Sequence, residues 1–207
     1  MKKLLSIAAL FVLAAGSVAA QQTMPASPRG TAAMQVGGKW ADQNGEQVYR
    51  NGKWIVIDYG RPILRGRTAI FGKGADYGKK VSDGSPMWRA GANQTTRLKT
   101  EVPLTIGGKT LAPGDYSLFV ELKENAWTLV VSNQPHQEKY DPADKVKTWG
   151  SYGFDPKFVL ARVPMKLRTM DLSCEEFTIA FMNVTPQGAT LTMWWDTQLA
   201  SVDIKVG

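Results

Sequence analysis

The sequence predicts an all-β chain, an antiparallel β-sandwich or jelly-roll-like fold with two long loops, and three observations carry that expectation. Apolar and polar residues alternate with period two over many short segments. Glycine, proline and asparagine fall at the breaks between those segments, where turns need them. No stretch shows a long apolar stripe at helical spacing. Short strands with regular turn punctuation close into two-sheet sandwiches and jelly rolls.

Taken in order, the first twenty residues read as a secretory signal. Lys2 and Lys3 form a basic start, LLSIAALFVLAAG an apolar stretch, and SVAA a small-residue cleavage region ending near Ala20. The apolar stretch is shorter than the ~20 residues that span a bilayer, and no later segment approaches that length, so no transmembrane segment is expected. The expected product is an exported chain, periplasmic or secreted. Residues 21–33, QQTMPASPRGTAA, read as a flexible lead-in, and residues 34–207 as a single β-sandwich domain.

In WIVIDYG, Ile55, Ile57 and Tyr59 share one face, while Trp54, Val56 and Asp58 share the other. DYSLFVEL, AWTLVVSN, EFTIAFMNV, ATLTMWW and LASVDIKV repeat the alternation. Gly107-Gly108 in LTIGGKTL is a hairpin signal. Ala112-Pro113-Gly114-Asp115, Lys123-Glu124-Asn125 and Pro186-Gln187-Gly188 read as further turns. Two irregular stretches remain, Gly60 to Thr96 and Asn133 to Pro156. Loops of that length bind, cover or disorder something.

The 207 residues carry 25 Lys+Arg and 18 Asp+Glu, a net charge of +7 without basic runs, so a nucleic-acid partner is not expected. Cys174 is the only cysteine, which excludes an internal disulfide and suits a half-buried strand thiol. His136 is the only histidine. With one of each, no ordinary zinc site can be assembled. A Ser-His-Asp arrangement lacks any nucleophile elbow. Asp141 and Asp144 lack EF-hand spacing, and an ordinary turn outweighs calcium there. Glu175 and Glu176, adjacent on a strand, point to opposite faces. No catalytic residue, cofactor or metal is therefore assigned. Of Trp194 and Trp195, one is expected in the core and the other exposed or covered by the Asn133–Pro156 loop.

DYGRP, RGR, IFG, YG, WRAGAN with Thr96, and then IGGKTLAPGDYSLF, AWTLVVSN and WGSYGFD occur in that order. Together they resemble a family of exported bacterial proteins known as a domain of unknown function. The resemblance spans most of the mature chain, and WRAGAN is its most specific piece. ADQNGEQVYRNG and GKKVSDGSPM look like insertions relative to the family pattern. The resemblance implies a β-rich, exported protein and attaches no reaction.

WRAGAN poses the functional question, because a fixed cation and a large ring precede three small or turn-prone residues. Arg61, Arg65, Arg67, Arg89 and Asn93, walled by Trp88 and Tyr59, would form a concave cationic site if the loop ends meet. Arginine's planar fork suits carboxylate or phosphate. The competing reading pairs each arginine with a carboxylate or loop carbonyl, and the arginine cluster weighs slightly toward it. The leading expectation is a non-enzymatic binder of a small anionic or saccharide ligand. The alternatives are a structural or protein-interaction module of the cell envelope, and a glycan-acting enzyme requiring Asp58 and Asp76 to converge.

Overall fold

The protein is described by a computed structural model covering residues 25–207. The expected signal segment and residues 21–24 lie outside the described residues. All the named strands pair antiparallel, and they build two principal sheets and one projecting hairpin.

The first sheet has six strands in the order β1 (Arg29–Val36), β4 (Lys53–Gly60), β5 (Thr96–Thr100), β8 (Gly114–Lys123), β9 (Ala126–Ser132) and β10 (Val159–Pro164). The second orders β11 (Lys166–Thr185), β12 (Gly188–Val206), β6 (Leu104–Ile106) and β7 (Lys109–Leu111). Between β1 and β4 the chain makes the β2 (Lys39–Gln43) and β3 (Glu46–Arg50) hairpin. Its turn residues Asn44 and Gly45 take φ of 57° and 87°, the left-handed pair that closes a two-residue hairpin. ADQNGEQVYRNG, the apparent insertion, falls on this hairpin and its return into β4.

The alternation read from the sequence places the core. Ile55, Ile57 and Tyr59 of β4 are buried, as are Ala32, Met34 and Val36 opposite them on β1. Leu118, Val120, Leu129 and Val131 join them, and Phe177, Ile179, Leu191, Met193 and Trp195 meet them from the second sheet. Each large apolar side chain removed from water there contributes about 1.5–3 kcal/mol. The architecture is a sandwich with no closed barrel.

Three local expectations change. β1 starts at Arg29, so the ladder begins inside the segment read as a flexible lead-in. Small Ala32 hides this, because it is a weak strand signal, yet it faces the core beside Met34. ATLTMWW and LASVDIKV belong to one 19-residue strand, β12. Asp196 takes φ of 50° between them and the β11 register shifts nearby, so a bulge stands between what were read as two separate segments. Finally, Phe119 lies on the outward side of β8 yet is wholly buried, with Val130 and Met87, under Phe154 of the long second loop. Strand alternation is blind to such a cover.

Candidate functional site

The WRAGAN segment folds as a clasp between loop ends. Trp88 exchanges two backbone hydrogen bonds with Val120, 2.9 and 2.8 Å, along β8 beyond the last β5 pair at Thr96–Leu118. The chain then turns through Ala90 at φ 47°, Gly91 at φ 150° and Asn93 at φ 62°. Thr96 donates its hydroxyl to the Ala90 carbonyl at 2.8 Å, and Trp88 Nε1 donates to the Gly91 carbonyl at 3.2 Å. A Cβ on Gly91 would stand 2.7 Å from the Gly60 carbonyl oxygen, so two stretches of backbone touch here.

The loop between β4 and β5 packs an aromatic cluster over the core. Trp88, only 1% exposed, meets Phe71, Trp127, Phe177 and Trp195 with ring centroids 4.9 to 6.3 Å apart. Trp195 is thus the core member of the Trp194–Trp195 pair. It packs against Phe71 and Trp88 of the Gly60–Thr96 loop, with ring centroids 5.9 and 6.3 Å away. Trp194 is half-buried and donates Nε1 to the Asp196 carbonyl at 3.0 Å.

Beside this cluster is a cavity of about 180 Å³ lined by Arg67, Lys80, Arg89, Trp88, Trp195 and Ser27, among others. Arg67 is fixed by its own loop, donating Nε to the Leu64 carbonyl at 2.9 Å and Nη2 to the Ile63 carbonyl at 2.7 Å. Lys80 arrives on the one-turn helix α1 (Lys79–Ser82), which opens at Gly78 with φ 78° and closes at Asp83 with φ 52°. The GKKVSDGSPM segment therefore supplies a cation to the cavity.

Arg89 is the least exposed of the cavity's cations. Its side chain is 13% exposed, and its Nη2 sits 3.5 Å from Asp83 Oδ2, a long contact. Its guanidinium carbon lies 5.6 Å from the Tyr152 ring centroid, within cation–π range. The stem passes Gly150, where an added Cβ would be 2.6 Å from Nη1. Tyr152 donates its hydroxyl to the same Asp83 carboxylate, and that bond is the main cause raising the phenol's pKa. Buried Arg89 Nε has no acceptor among the described residues, and neither has buried Trp195 Nε1. Arg61 Nε, away from the cavity, is a third such donor among the described residues; buried donors are ordinarily satisfied, and two of the three sit on residues that line this one cavity.

Of the seven residues singled out in the sequence, the fold brings Arg67, Trp88 and Arg89 to this cavity. The other four hold the fold. Tyr59 links the sheets, accepting from the Ile179 N–H at 3.0 Å. Arg61 pairs with Glu176 at 2.7 Å. The exposed Arg65 takes φ 53°, and its backbone N–H donates to Glu175 Oε1 at 2.7 Å. Asn93, also exposed, serves the turn through its left-handed backbone. Lys80 and Ser27 carried no signal in the sequence reading.

The carboxylates are occupied elsewhere. Asp58 accepts from Thr31 Oγ1 at 2.8 Å on the sheet's outer face, while Asp76 pairs with Lys79 at 2.9 Å ahead of α1. Cys174 is half-buried in β11, with Sγ 3.1 Å from the Glu176 carbonyl, as a strand thiol would be. His136 lies 2.8 Å from Glu138 Oε1.

A family model matches residues 42–204, spanning the clasp and all five of the cavity's charged and aromatic contributors, Arg67, Lys80, Trp88, Arg89 and Trp195. The chain belongs to that family. Its description is protein of unknown function (DUF2911). No curated protein matches the chain, and no solved structure does. The family match begins within the β2–β3 hairpin, so β1, Ser27 and Trp40 precede it, while Lys80 falls inside it. Membership brings no reaction with it, and the chemistry must come from the cavity itself.

Proposed function

We propose that this protein is exported and binds a small anion, non-enzymatically, in the Arg67–Lys80–Arg89 cavity. The observation that carries the reading is the imbalance of the lining. Three cations meet there with no carboxylate among the described lining residues, and two buried donors lack acceptors. Every charged group offers hydrogen atoms and none accepts them. A phosphate, sulfate or small carboxylate answers that pattern, because its oxygens only accept. A sugar does not, since its hydroxyls also need acceptors. At about 180 Å³ the space lies below the ~300–1,000 Å³ of sites for larger ligands, which also selects a small anion. Trp88 and Trp195 give the site a rigid apolar floor. The expected signal segment supports export.

Thermal melting in phosphate, sulfate, acetate and citrate, against chloride at equal ionic strength, tests the reading. A specific ligand at about 100 times its Kd adds about 2.7 kcal/mol, which for a domain of this size is a rise of several degrees. The exposed Lys80 side chain makes no hydrogen bond or ion pair within the described residues, so Lys80→Gln should keep the baseline melting point and weaken the anion-dependent rise. Equal shifts in both proteins, or no anion exceeding chloride, would sink the proposal.

A further inference from the structure

The opposite side of the first sheet carries a different chemistry. β4 buries Ile55 and Ile57 inward but holds Trp54 outward, 46% exposed. The β2–β3 hairpin adds Trp40, 68% exposed, with Tyr49 directly across the ladder and 5.1 Å away between ring centroids. Two grooves meet at these rings. One, of about 500 Å³, runs between Trp40, Tyr49, Trp54, Gln35 and the β11–β12 turn at Pro186. The other, of about 630 Å³, crosses four strands past Trp54, Val56, Lys99, Glu101 and Asp115. Both are lined by Ala33 and Trp54, so the two adjoin there and together make an extended cleft on this face.

Strand pairing accounts for part of this arrangement. A cross-strand aromatic pair such as Trp40–Tyr49 contributes roughly 0.2–1 kcal/mol to a hairpin. It does not account for Trp54, which is 46% exposed and has Gln35, with no aromatic ring, as its partner across the ladder. Small Ala33, opposite Val56 on β1, lines both grooves without a bulky side chain.

We propose that this cleft binds an uncharged saccharide chain along the Trp40, Tyr49 and Trp54 rings. Flat apolar rings suit the C–H faces of pyranose units. The rim offers what the hydroxyls need: Gln35 both donates and accepts, Lys99 donates, and Glu101 and Asp115 accept. Asp115 is paired with Arg97 at 2.7 Å, which leaves Lys99 and Glu101 as balanced rim charges and gives a charged polymer no net attraction. The cleft's length, across four strands and onto the hairpin, suits a chain of sugars better than a single ring. Glu101 also accepts the Trp54 backbone N–H at 2.8 Å, tying rim and platform together. This site is separate from the cationic cavity and stands or falls without it.

Native electrophoresis through gels containing hydroxyethylcellulose, galactomannan, laminarin, dextran or polygalacturonate tests the inference. At least one neutral polymer should retard the protein. Trp40→Ala and Trp54→Ala should each weaken that retardation about tenfold or more, which is ~1.4 kcal/mol of lost contact. Trp40 lies on the projecting hairpin outside the core, so its variant reports binding even if Trp54→Ala folds poorly. Leu172→Ala, at an exposed apolar position lining neither groove, should leave retardation unchanged and so exclude general stickiness. The proposal is overturned if no neutral polymer retards the protein, if only polygalacturonate does, or if the tryptophan variants are retarded equally. Loss of self-association in Trp54→Ala, without polymer retardation of the parent, would reassign the surface to a second copy and also overturn it.

Discussion

A Cβ atom built on Gly60 would lie 2.1 Å from the carbonyl oxygen of Ala92, so the end of β4 and the WRAGAN turn are in backbone contact. The obstruction is main chain, held in turn by the Thr96 hydroxyl at Ala90, and it cannot swing aside. Gly60→Ala should therefore separate the loop ends or distort β4. Overpacking of this kind costs about 1–3 kcal/mol, and at about 2–4 °C per kcal/mol the melting point should fall by several degrees. Calorimetry on the variant checks this, and an unchanged melting point would mean that the clasp is not a stability element.

Tyr59 tests the join between the sheets. Its hydroxyl accepts from the Ile179 N–H at 3.0 Å and lies 3.4 Å from the Ile179 carbonyl, with both residues buried. Tyr59→Phe keeps the ring against Phe177 but strands those backbone groups. The expected loss is about 1–3 kcal/mol by urea denaturation, with the m-value unchanged. Anion-dependent stabilisation should survive in this variant, because Tyr59 does not line the cavity.

Acid sensitivity should come from three carboxylates, the half-buried Asp144 and Asp155 and the exposed Asp203. Hydrogen bonds from the Lys147 and Val146 backbone hold the Asp144 pKa below its ordinary value. Bonds to the Lys157 side chain and backbone do the same for Asp155, and bonds from Lys166 and then Thr190 for Asp203. Each group is depressed in the folded state. Its stabilisation is therefore present above the unfolded value, about 3.9, and disappears as pH falls through the lower folded value. Melting curves from pH 7 to 2.5 should stay level with respect to these groups until about pH 4 and then decline. Asp203→Asn should flatten part of the decline. Added salt should weaken the lysine contributions at Asp155 and Asp203 more than the backbone bonds at Asp144.

The fold was more legible in the sequence than the site, for identifiable reasons. Period-two burial on β4 and paired glycines at 107 and 108, with φ of 56° and 78°, are local consequences of local residues. The arginines are different. Arg61 meets Glu176 and Arg65 meets Glu175 only because β11 runs beside the loop after β4, with Ile63 bridging Glu176. Nothing in the spacing of four arginines distinguishes those two from Arg67 and Arg89. Lys80 escaped notice because it sits in a segment that looked like an insertion. Trp54 was read on the face opposite Ile55 and Ile57, but its value depends on the hairpin that brings Trp40 alongside.

Arg89 decides how clasp and cavity share one residue. Its stem lies along Gly150, its guanidinium faces Tyr152, and its ion pair with Asp83 is long at 3.5 Å. Asp83 is 64% exposed, so that pair alone contributes little. Packing and the cation–π contact are the larger share, and Arg89→Ala should cost about 1–2 kcal/mol. Removal also deletes one of the cavity's two unpartnered donors. The variant should therefore melt lower than the parent and lose the phosphate- or carboxylate-dependent rise, whereas Lys80→Gln affects only the rise. Arg89→Lys separates the two roles: charge remains, but the planar fork and buried Nε are gone. If Arg89→Lys melts like the parent and still responds fully to anions, charge alone suffices and Nε has no part in binding. If it retains stability but responds weakly, the arginine's geometry is being used by the ligand.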